Sequence, residues 1–282
     1  MNFNTINGIQ IAGNIYAHIQ NEIQSLHIQP SLVAVLVGNN PASLRYIEQK
    51  KKWAETVGIQ FTLKHFEIDI SQKELEAEIH KINTHPDIHG CIVQLPLPNH
   101  IDSLSIISTL SPKKDVDGFH PENQGKTVIG DDSGMIPCTP AGIMHIFADQ
   151  NISLSGKKVA ILGRSNIVGK PLTNLLINAG ATVVSCNSQT PDITLYTKDA
   201  DIIVLATGNP GLLRADMISK EAIIIDVGFS VINGKICGDA DFENISKNGN
   251  LITPVPGGVG PLTVAFLMKN TLEASKKLAE EK

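Results

Sequence analysis

The sequence has no long hydrophobic run, no basic cluster and no closely paired cysteines, and each lack removes a class of protein. Its apolar-rich stretches, such as 202–206 and 222–227, are strand-sized and fall far short of the roughly 20 residues of a membrane span. The opening MNFNTINGIQIAGNIYAHIQ has no basic segment followed by a long apolar one, so no secretory leader is expected. With 23 Lys and Arg against 28 Asp and Glu, the net charge is −5 and the pI near 6.0. A general nucleic-acid binder would carry a basic excess, so none is expected as a partner. Cys91, Cys138, Cys186 and Cys237 stand tens of residues apart without a C-x-x-C pair. Neither a zinc site nor a disulfide framework is expected; buried, reduced thiols of a cytoplasmic protein are. Internal repeats and low-complexity tracts are also missing.

What remains is ordinary globular material, 42% hydrophobic and 18% charged. At 282 residues the chain is comfortable for two cores, since single cores stop growing at roughly 250–300 residues. Short β-branched runs alternate with helical periods. Residues 31–37 read as a buried strand, followed by tight-turn material at 38–41 and a helix over 43–57 that Gly58 ends. A strand at 61–67, a helix at 72–83 with Ser71 as N-cap, and a strand at 88–94 follow. This alternation predicts parallel sheets with covered faces. Residues 111–140 break the rhythm, being rich in Pro, Gly, Asp and Lys. They read as an inter-domain connection carrying site residues on loops. Beyond it come a helix at 139–149, strands at 158–162, 182–185, 202–206 and 222–227, and a helix at 170–179. A Pro/Gly loop at 253–261 leads into a final amphipathic helix at 262–278.

The strand at 158–162 runs into Gly163-Arg164-Ser165-Asn166-Ile167-Val168-Gly169-Lys170-Pro171 and then a helix. Strand, glycine turn and helix form the context of a dinucleotide loop, with glycines for close backbone approach and free N–H groups for phosphate. The spacing departs from G-x-G-x-x-G: Ser165 replaces the second glycine, and the last lies one residue later. An ordinary β–α turn stays open as the alternative. NAD-preferring folds end the next strand with an acid that holds the ribose 2′-hydroxyl. Here the strand runs out through Ser185-Cys186-Asn187-Ser188, with no acid before Asp192, while Arg164 stands in the loop. An arginine with small hydroxyl donors suits a 2′-phosphate, so NADP is expected over NAD.

Tyr46 and Lys50 stand at i and i+4 and share a helix face. Gln94 lies at the carboxyl end of a strand, where α/β folds place ligand sites. Asp115, Asp117 and His120 follow on the 111–140 connection. On residue patterns alone each keeps a plain alternative: surface decoration for the Tyr/Lys pair, a strand-end contact for Gln94, a turn for the acids, a solvated side chain for His120.

Taken together, however, the sequence resembles the bifunctional methylenetetrahydrofolate dehydrogenase/methenyltetrahydrofolate cyclohydrolases over nearly its whole length. The carrying stretches are Ala42-Ser43-Leu44-Arg45-Tyr46-Ile47-Glu48-Gln49-Lys50, Val93-Gln94-Leu95-Pro96-Leu97-Pro98, Lys114-Asp115-Val116-Asp117-Gly118-Phe119-His120 and Pro137-Cys138-Thr139-Pro140-Ala141-Gly142. Gly163-Arg164-Ser165 with Val168-Gly169, Ala206-Thr207-Gly208, Ile225-Asp226-Val227-Gly228 and the 253–261 loop complete the series.

The resemblance implies two α/β domains with parallel sheets and a substrate cleft between them. Residues 1–138 and 262–282 would form the catalytic, folate-binding domain, and 139–261 a Rossmann-like NADP-binding domain. It also implies a cytoplasmic homodimer of one-carbon metabolism and purine biosynthesis that needs no metal. Its substrate would be 5,10-methylenetetrahydrofolate, oxidised with NADP to the 5,10-methenyl compound and then hydrolysed to 10-formyltetrahydrofolate. Lys50 becomes the central catalytic residue, Gln94 its hydrogen-bonding tuner, Tyr46 a folate contact and proton relay, and Asp117 the pterin anchor. Pro261 joins the substrate contacts. Gly163, Arg164, Ser165, Val168, Gly169, Ser188, Thr207 and Phe229 become cofactor contacts.

A lysine that is to accept a proton must be uncharged, and partial burial beside a cationic substrate disfavours its ammonium form. Departures from the family pattern are few. Asn187 stands where many relatives have histidine, Ile9 where lysine is common, and Leu262 where methionine is frequent. A short-chain dehydrogenase, which also uses Tyr-x-x-x-Lys, would need its glycine loop before that pair rather than after it. A dehydrogenase-only relative would lack the lysine. A non-catalytic binder is disfavoured by the joint presence of Tyr46, Lys50, Gln94 and Asp117.

Overall fold

A computed structural model describes residues 4–26 and 28–280, which divide into two units by their internal contacts. The first unit holds Asn14–Thr127, Asp131–Cys138 and the stretch from Val264; the second holds the stretch up to Gly13, Val128–Gly130 and Thr139–Thr263. Compared with the expected boundaries, residues up to 13 and the short piece 128–130 fall with the nucleotide-side unit.

The first unit is built on β1 (Ser31–Val37), whose seven residues are all buried. It is the middle strand of a parallel sheet ordered β2-β1-β3, with β2 at Gln60–Phe66 and β3 at Gly90–Val93. A strand flanked on both edges and covered on both faces must be continuously apolar, which SLVAVLV is. β2 is an edge strand, and none of its residues is fully buried: Phe61, Lys64 and Phe66 are half-buried and the other four exposed. The helix α1 (Gly8–Leu26) repeats apolar residues at helical spacing, with Ile11, Ile15, Ile19 and Ile23 buried along one stripe. No element was expected there.

Helix α2 (Pro41–Val57) begins two residues earlier than expected. Asn40 is its N-cap, accepting from the N–H groups of Ala42 and Ser43, and Pro41 takes the first turn, where its missing N–H costs nothing. Gly58 ends it at φ +90°, as its position predicts. Tyr16 of α1 stacks on Trp53 of α2 with ring centroids 3.9 Å apart. Helix α3 (Gln72–Thr84) opens with a full capping box between Ser71 and Glu74.

The 111–140 connection is less irregular than its composition suggests. After α4 (Ser103–Thr109) it contains α5 (Pro121–Ile129), a short helix whose Gly and Lys hide its periodicity. Cys91 of β3 donates its N–H to the Lys114 carbonyl at 2.7 Å and forms a parallel bridge with Asp115. The Asp115–Asp117 run therefore lies along the free edge of β3.

In the second unit α6 (Cys138–Asp149) precedes β4 (Lys158–Leu162), α7 (Gly169–Asn178), β5 (Thr182–Cys186), α8 (Thr194–Thr197), β6 (Ile202–Leu205) and β7 (Ile223–Asp226). Their sheet is parallel and ordered β5-β4-β6-β7. Chain order reverses between β4 and β6, so the loops leaving these neighbours stand at the topological switch point where such folds bind nucleotides. The hairpin β8 (Ser230–Ile232) and β9 (Lys235–Cys237) and the helix α9 (Phe242–Lys247) follow; neither was expected. Single parallel bridges from Ile252 to Ile224 and to Thr5 lengthen the sheet beyond β7.

The final helix α10 (Val259–Glu280) starts three residues before its expected position and is not simply amphipathic. Val264 through Met268 are all buried, so that stretch is covered on every side. No helix of the described residues is long and apolar enough to cross a membrane.

Candidate active site

Four residues of α2 define its inward face: Ser43, Ile47, Ala54 and Val57 are buried. At 100° per residue, Lys50 falls in the middle of that stripe, between Ile47 and Ala54, where an apolar residue belongs. Lys51 and Lys52 point away and are exposed, whereas Lys50 is half-buried. Its ammonium Nζ donates to Gln94 Oε1 at 3.1 Å.

Gln94 is held on both sides. Its backbone N–H continues the β1–β3 ladder to the Val35 carbonyl at 2.9 Å, and its Nε2 donates to the Leu95 carbonyl at 2.9 Å. With Nε2 committed, Oε1 must face the lysine. Such a bond contributes only about 1 kcal/mol to folding, so its effect is orientation rather than stability.

Asp117 reaches the same place from the β3 edge. It is 9% exposed, and burial raises its carboxyl above the usual range; the Lys50 charge pulls it back, and Asp115 pushes it up again. Its polar neighbour is the thiol of Cys138, 3.9 Å from Oδ1. The turn behind it is tight. Gly118 sits at φ +75°, and a Cβ there would lie 2.6 Å from the Pro137 nitrogen. Asn270 of α10 ties this turn down by donating to the carbonyls of Val116 (2.9 Å) and Ile136 (3.0 Å). Asn270 was not expected at the site; its one signal in the sequence is a polar residue amid a buried helical run.

Tyr46 lies one turn before Lys50 and is 39% exposed; partial burial raises its hydroxyl, and the Arg45 charge opposes the change. Asp115 and His120 turn out to be structural. Asp115 Oδ2 accepts from the His120 N–H and from Asn123. His120 Nδ1 accepts the Glu122 N–H at 3.0 Å, which occupies the nitrogen a catalytic base would need. Pro261 lies in the first turn of α10, in the second unit. A carboxylate-lined hollow of about 610 Å³ beside Phe66, Glu67, Asp69 and Glu74 contains none of these residues.

In the second unit the glycine turn passes close to its neighbour strand. Gly163 has φ +114°, and a Cβ there would lie 2.3 Å from the Ala206 carbonyl oxygen; one at Gly169 would lie 2.1 Å from the Gly163 oxygen. Only glycine fits at either position. Arg164 and Ser165 are exposed on the turn, and Ser165 Oγ accepts the Val168 N–H at 3.2 Å. Val168 is the N-cap of α7 without a side-chain cap; the Lys170 N–H donates to the Ser165 carbonyl at 3.0 Å and Pro171 has none, which leaves the Gly169 N–H at the helix start. Ser188 is exposed beyond β5, Thr207 is exposed beyond β6, and Phe229 beyond β7 is 50% exposed. Asp192, the acid nearest the β5 end, is committed elsewhere: its Oδ1 accepts the Thr194 N–H at 2.9 Å. These groups suit a dinucleotide carrying an extra phosphate, with close backbone approach, a helix N-terminus and one exposed arginine. Among the described residues no three His, Cys, Asp or Glu side chains are grouped as metal ligands would be.

A lysine-centred site on one α/β unit and a glycine-turn nucleotide site on another define a two-domain, nucleotide-dependent α/β enzyme. Comparison with known proteins makes this specific. Residues 6–117 match the tetrahydrofolate dehydrogenase/cyclohydrolase catalytic domain, and residues 137–279 match the NAD(P)-binding domain of the same enzymes. The chain belongs to the tetrahydrofolate dehydrogenase/cyclohydrolase family. It is 47% identical to the bifunctional protein FolD of Bacillus licheniformis over 96% of this chain and 97% of that one. Among solved structures, the bifunctional FolD methylenetetrahydrofolate dehydrogenase/cyclohydrolase of Campylobacter jejuni is 44% identical with a TM-score of 0.95, covering 97% of this chain and 98% of that one. The Trypanosoma brucei methylenetetrahydrofolate dehydrogenase-cyclohydrolase, solved with NADP cofactor and inhibitor, is 35% identical with a TM-score of 0.93, covering 98% and 99%.

Proposed function

We propose that this chain oxidises 5,10-methylenetetrahydrofolate to the 5,10-methenyl compound with NADP and hydrolyses that product to 10-formyltetrahydrofolate. Family membership over both domains supports the two activities, and the Lys50–Gln94 pair is the observation that carries the second.

When bound, the nicotinamide accepts the hydride from the methylene bridge. The protein's part in that step is alignment, since hydride transfer chiefly needs the reacting carbons held close. Asp117 is a buried carboxylate beside the Cys138 thiol, and a pterin ring presents adjacent N–H donors that it could accept together. In the hydrolytic step water attacks the methenyl carbon, and Lys50 takes the proton that the water gives up. Gln94 aims the amine, and Tyr46 at the rim lies one turn away to relay a proton. The ring then opens at one C–N bond: the lysine returns its proton to the departing nitrogen, while the added hydroxyl becomes the formyl carbonyl and gives the water's second proton to solvent.

On the cofactor side, Gly163, Ser165, Val168 and Gly169 would hold the bridging phosphates, Arg164 and Ser188 the 2′-phosphate, and Thr207 and Phe229 the nicotinamide end. Pro261 would complete the folate contacts, and the chemistry calls for no metal. The same reading includes a homodimer, for which β5 offers an edge strand with Val184 exposed. It also includes a cytoplasmic setting, which the four free thiols suit.

Following absorbance during NADP reduction with methylenetetrahydrofolate tests the reading directly; no turnover with either NADP or NAD would overturn it. The 2′-phosphate assignment has its own test. Arg164→Ala should raise KM for NADP about 10- to 100-fold, the range of one or two lost charge-assisted hydrogen bonds, and leave KM for NAD nearly unchanged. Equal losses with both cofactors would remove it.

A further inference from the structure

Two carboxylates of the second unit are used by none of these roles. Asp226 ends β7 and Asp239 follows β9, and they are 2% and 0% exposed. Asp226 Oδ1 accepts the N–H groups of Gly228 (2.9 Å) and Asp239 (3.1 Å), and its Oδ2 accepts that of Ala240 (2.9 Å). Asp239 Oδ2 accepts three hydrogens, from the Thr207 N–H (2.7 Å), the Thr207 hydroxyl (2.8 Å) and the Gly208 N–H (3.0 Å). Among the described residues Asp239 Oδ1 has no partner.

Two glycines make this arrangement possible, each opposite the other turn's acid. A Cβ on Gly228 would lie 2.3 Å from Asp239 Cγ, and one on Gly238 would lie 2.1 Å from Asp226 Oδ2. Burial pushes the Asp226 carboxyl up to about 6, against its three N–H donors and with the Asp239 charge adding to the rise. Placing two like charges together in a core is expensive, and a fold that only needed filling would have used apolar side chains. What the acids hold are the turns leaving β6 and β7, and those turns carry Thr207 and Phe229.

We propose that Asp226 and Asp239 are positioning residues for the dehydrogenase step, a buried carboxylate pair that fixes the Thr207 and Phe229 turns for the nicotinamide end of the cofactor. The proposal rests on the cofactor reading of those two turns. Its geometry makes the two acids unequal. An asparagine at 239 can keep its carbonyl oxygen under the three donors and put its NH₂ at the unpartnered Oδ1 position. At 226 both oxygens receive N–H groups, so an amide there sets one donor against another.

The test uses the full-length chain and two separate assays, NADP reduction with methylenetetrahydrofolate and cofactor-free hydrolysis of the methenyl compound. Asp239→Ala should lower dehydrogenase kcat at least 30-fold, raise KM for NADP much less, and leave cyclohydrolase within twofold. Asp239→Asn should recover at least tenfold of that loss, and Asp226→Asn should be the worse of the two amides. Parallel loss of both activities, or equal effects of the alanine and asparagine at 239, would overturn the proposal. Should Asp239→Ala not fold, the ranking of the two amides decides: equal dehydrogenase rates would overturn it. A wild-type chain that fails to reduce NADP refutes the cofactor reading itself; an active wild type matched by Asp239→Ala refutes this inference alone.

Discussion

Replacing Lys50 by methionine is expected to lower cyclohydrolase turnover by about a thousandfold, within the usual range for loss of a general base, while binding of NADP stays within twofold. The reason lies in where the amine stands. Methionine suits the inward stripe between Ile47 and Ala54, so the helix should keep its packing and lose only the Nζ–Gln94 bond. That leaves Gln94 Oε1 without its donor, a cost of about 1 kcal/mol. The variant should therefore remain folded, and hydrolysis of the methenyl compound by it at the wild-type rate would refute the role given to Lys50. Gln94→Ala should show a smaller loss, since it frees the amine without removing it.

Asp117→Asn is expected to make the empty protein more stable and nearly inactive. Burial holds the Asp117 carboxyl above its ordinary value despite the Lys50 charge, so the ionised form costs folding stability. For a carboxyl raised in the folded state, the unfolded chain gives up its proton first as pH rises. The penalty is absent below the unfolded value and complete above the folded one. The melting temperature of Asp117→Asn should thus exceed that of wild type at pH 7–8, and the gap should close as the solution is acidified toward pH ~4. Dehydrogenase kcat/KM should fall about a hundredfold or more, because an amide cannot accept two N–H donors as a carboxylate does. A wild type that melts higher than the variant at neutral pH would mean that Asp117 is a structural acid.

Much of this was legible in the residues. The continuous apolar run of β1 and the Ser71 and Gly58 signals at helix ends are local, and the structure bears them out. The glycine turn after β4 was legible for the same reason, since tight φ and close backbone approach leave no choice but glycine. Elements without strong local periodicity were not: α5 is short and dilute in apolar residues, and the β8–β9 hairpin has only three residues a side. Lys50 was readable as one of a Tyr/Lys pair but not as inward-facing, because Lys51 and Lys52 beside it mimic a solvated turn. Its partner 44 positions on was readable by its place at a strand end, whereas the bond between the two came only with the family resemblance. Asn270 and Asp239 act on backbone groups far away in the chain, Asn270 more than 130 positions and Asp239 about 32, and no pattern of neighbours announces such a bond.

The chain's last stretch, from Val264, belongs to the unit that begins at Asn14, and it carries the Asn270 that secures the Asp117 turn. On the ribosome, then, this unit is broken off at Cys138 and resumed only at Val264, after the other has been made. The nucleotide-side unit has all its strands in hand by Ile252, whereas the other waits for α10 to emerge. A product stalled before Asn270 would lack the clamp on the Asp117 turn, so that carboxylate gains its setting more than 150 residues after it is made.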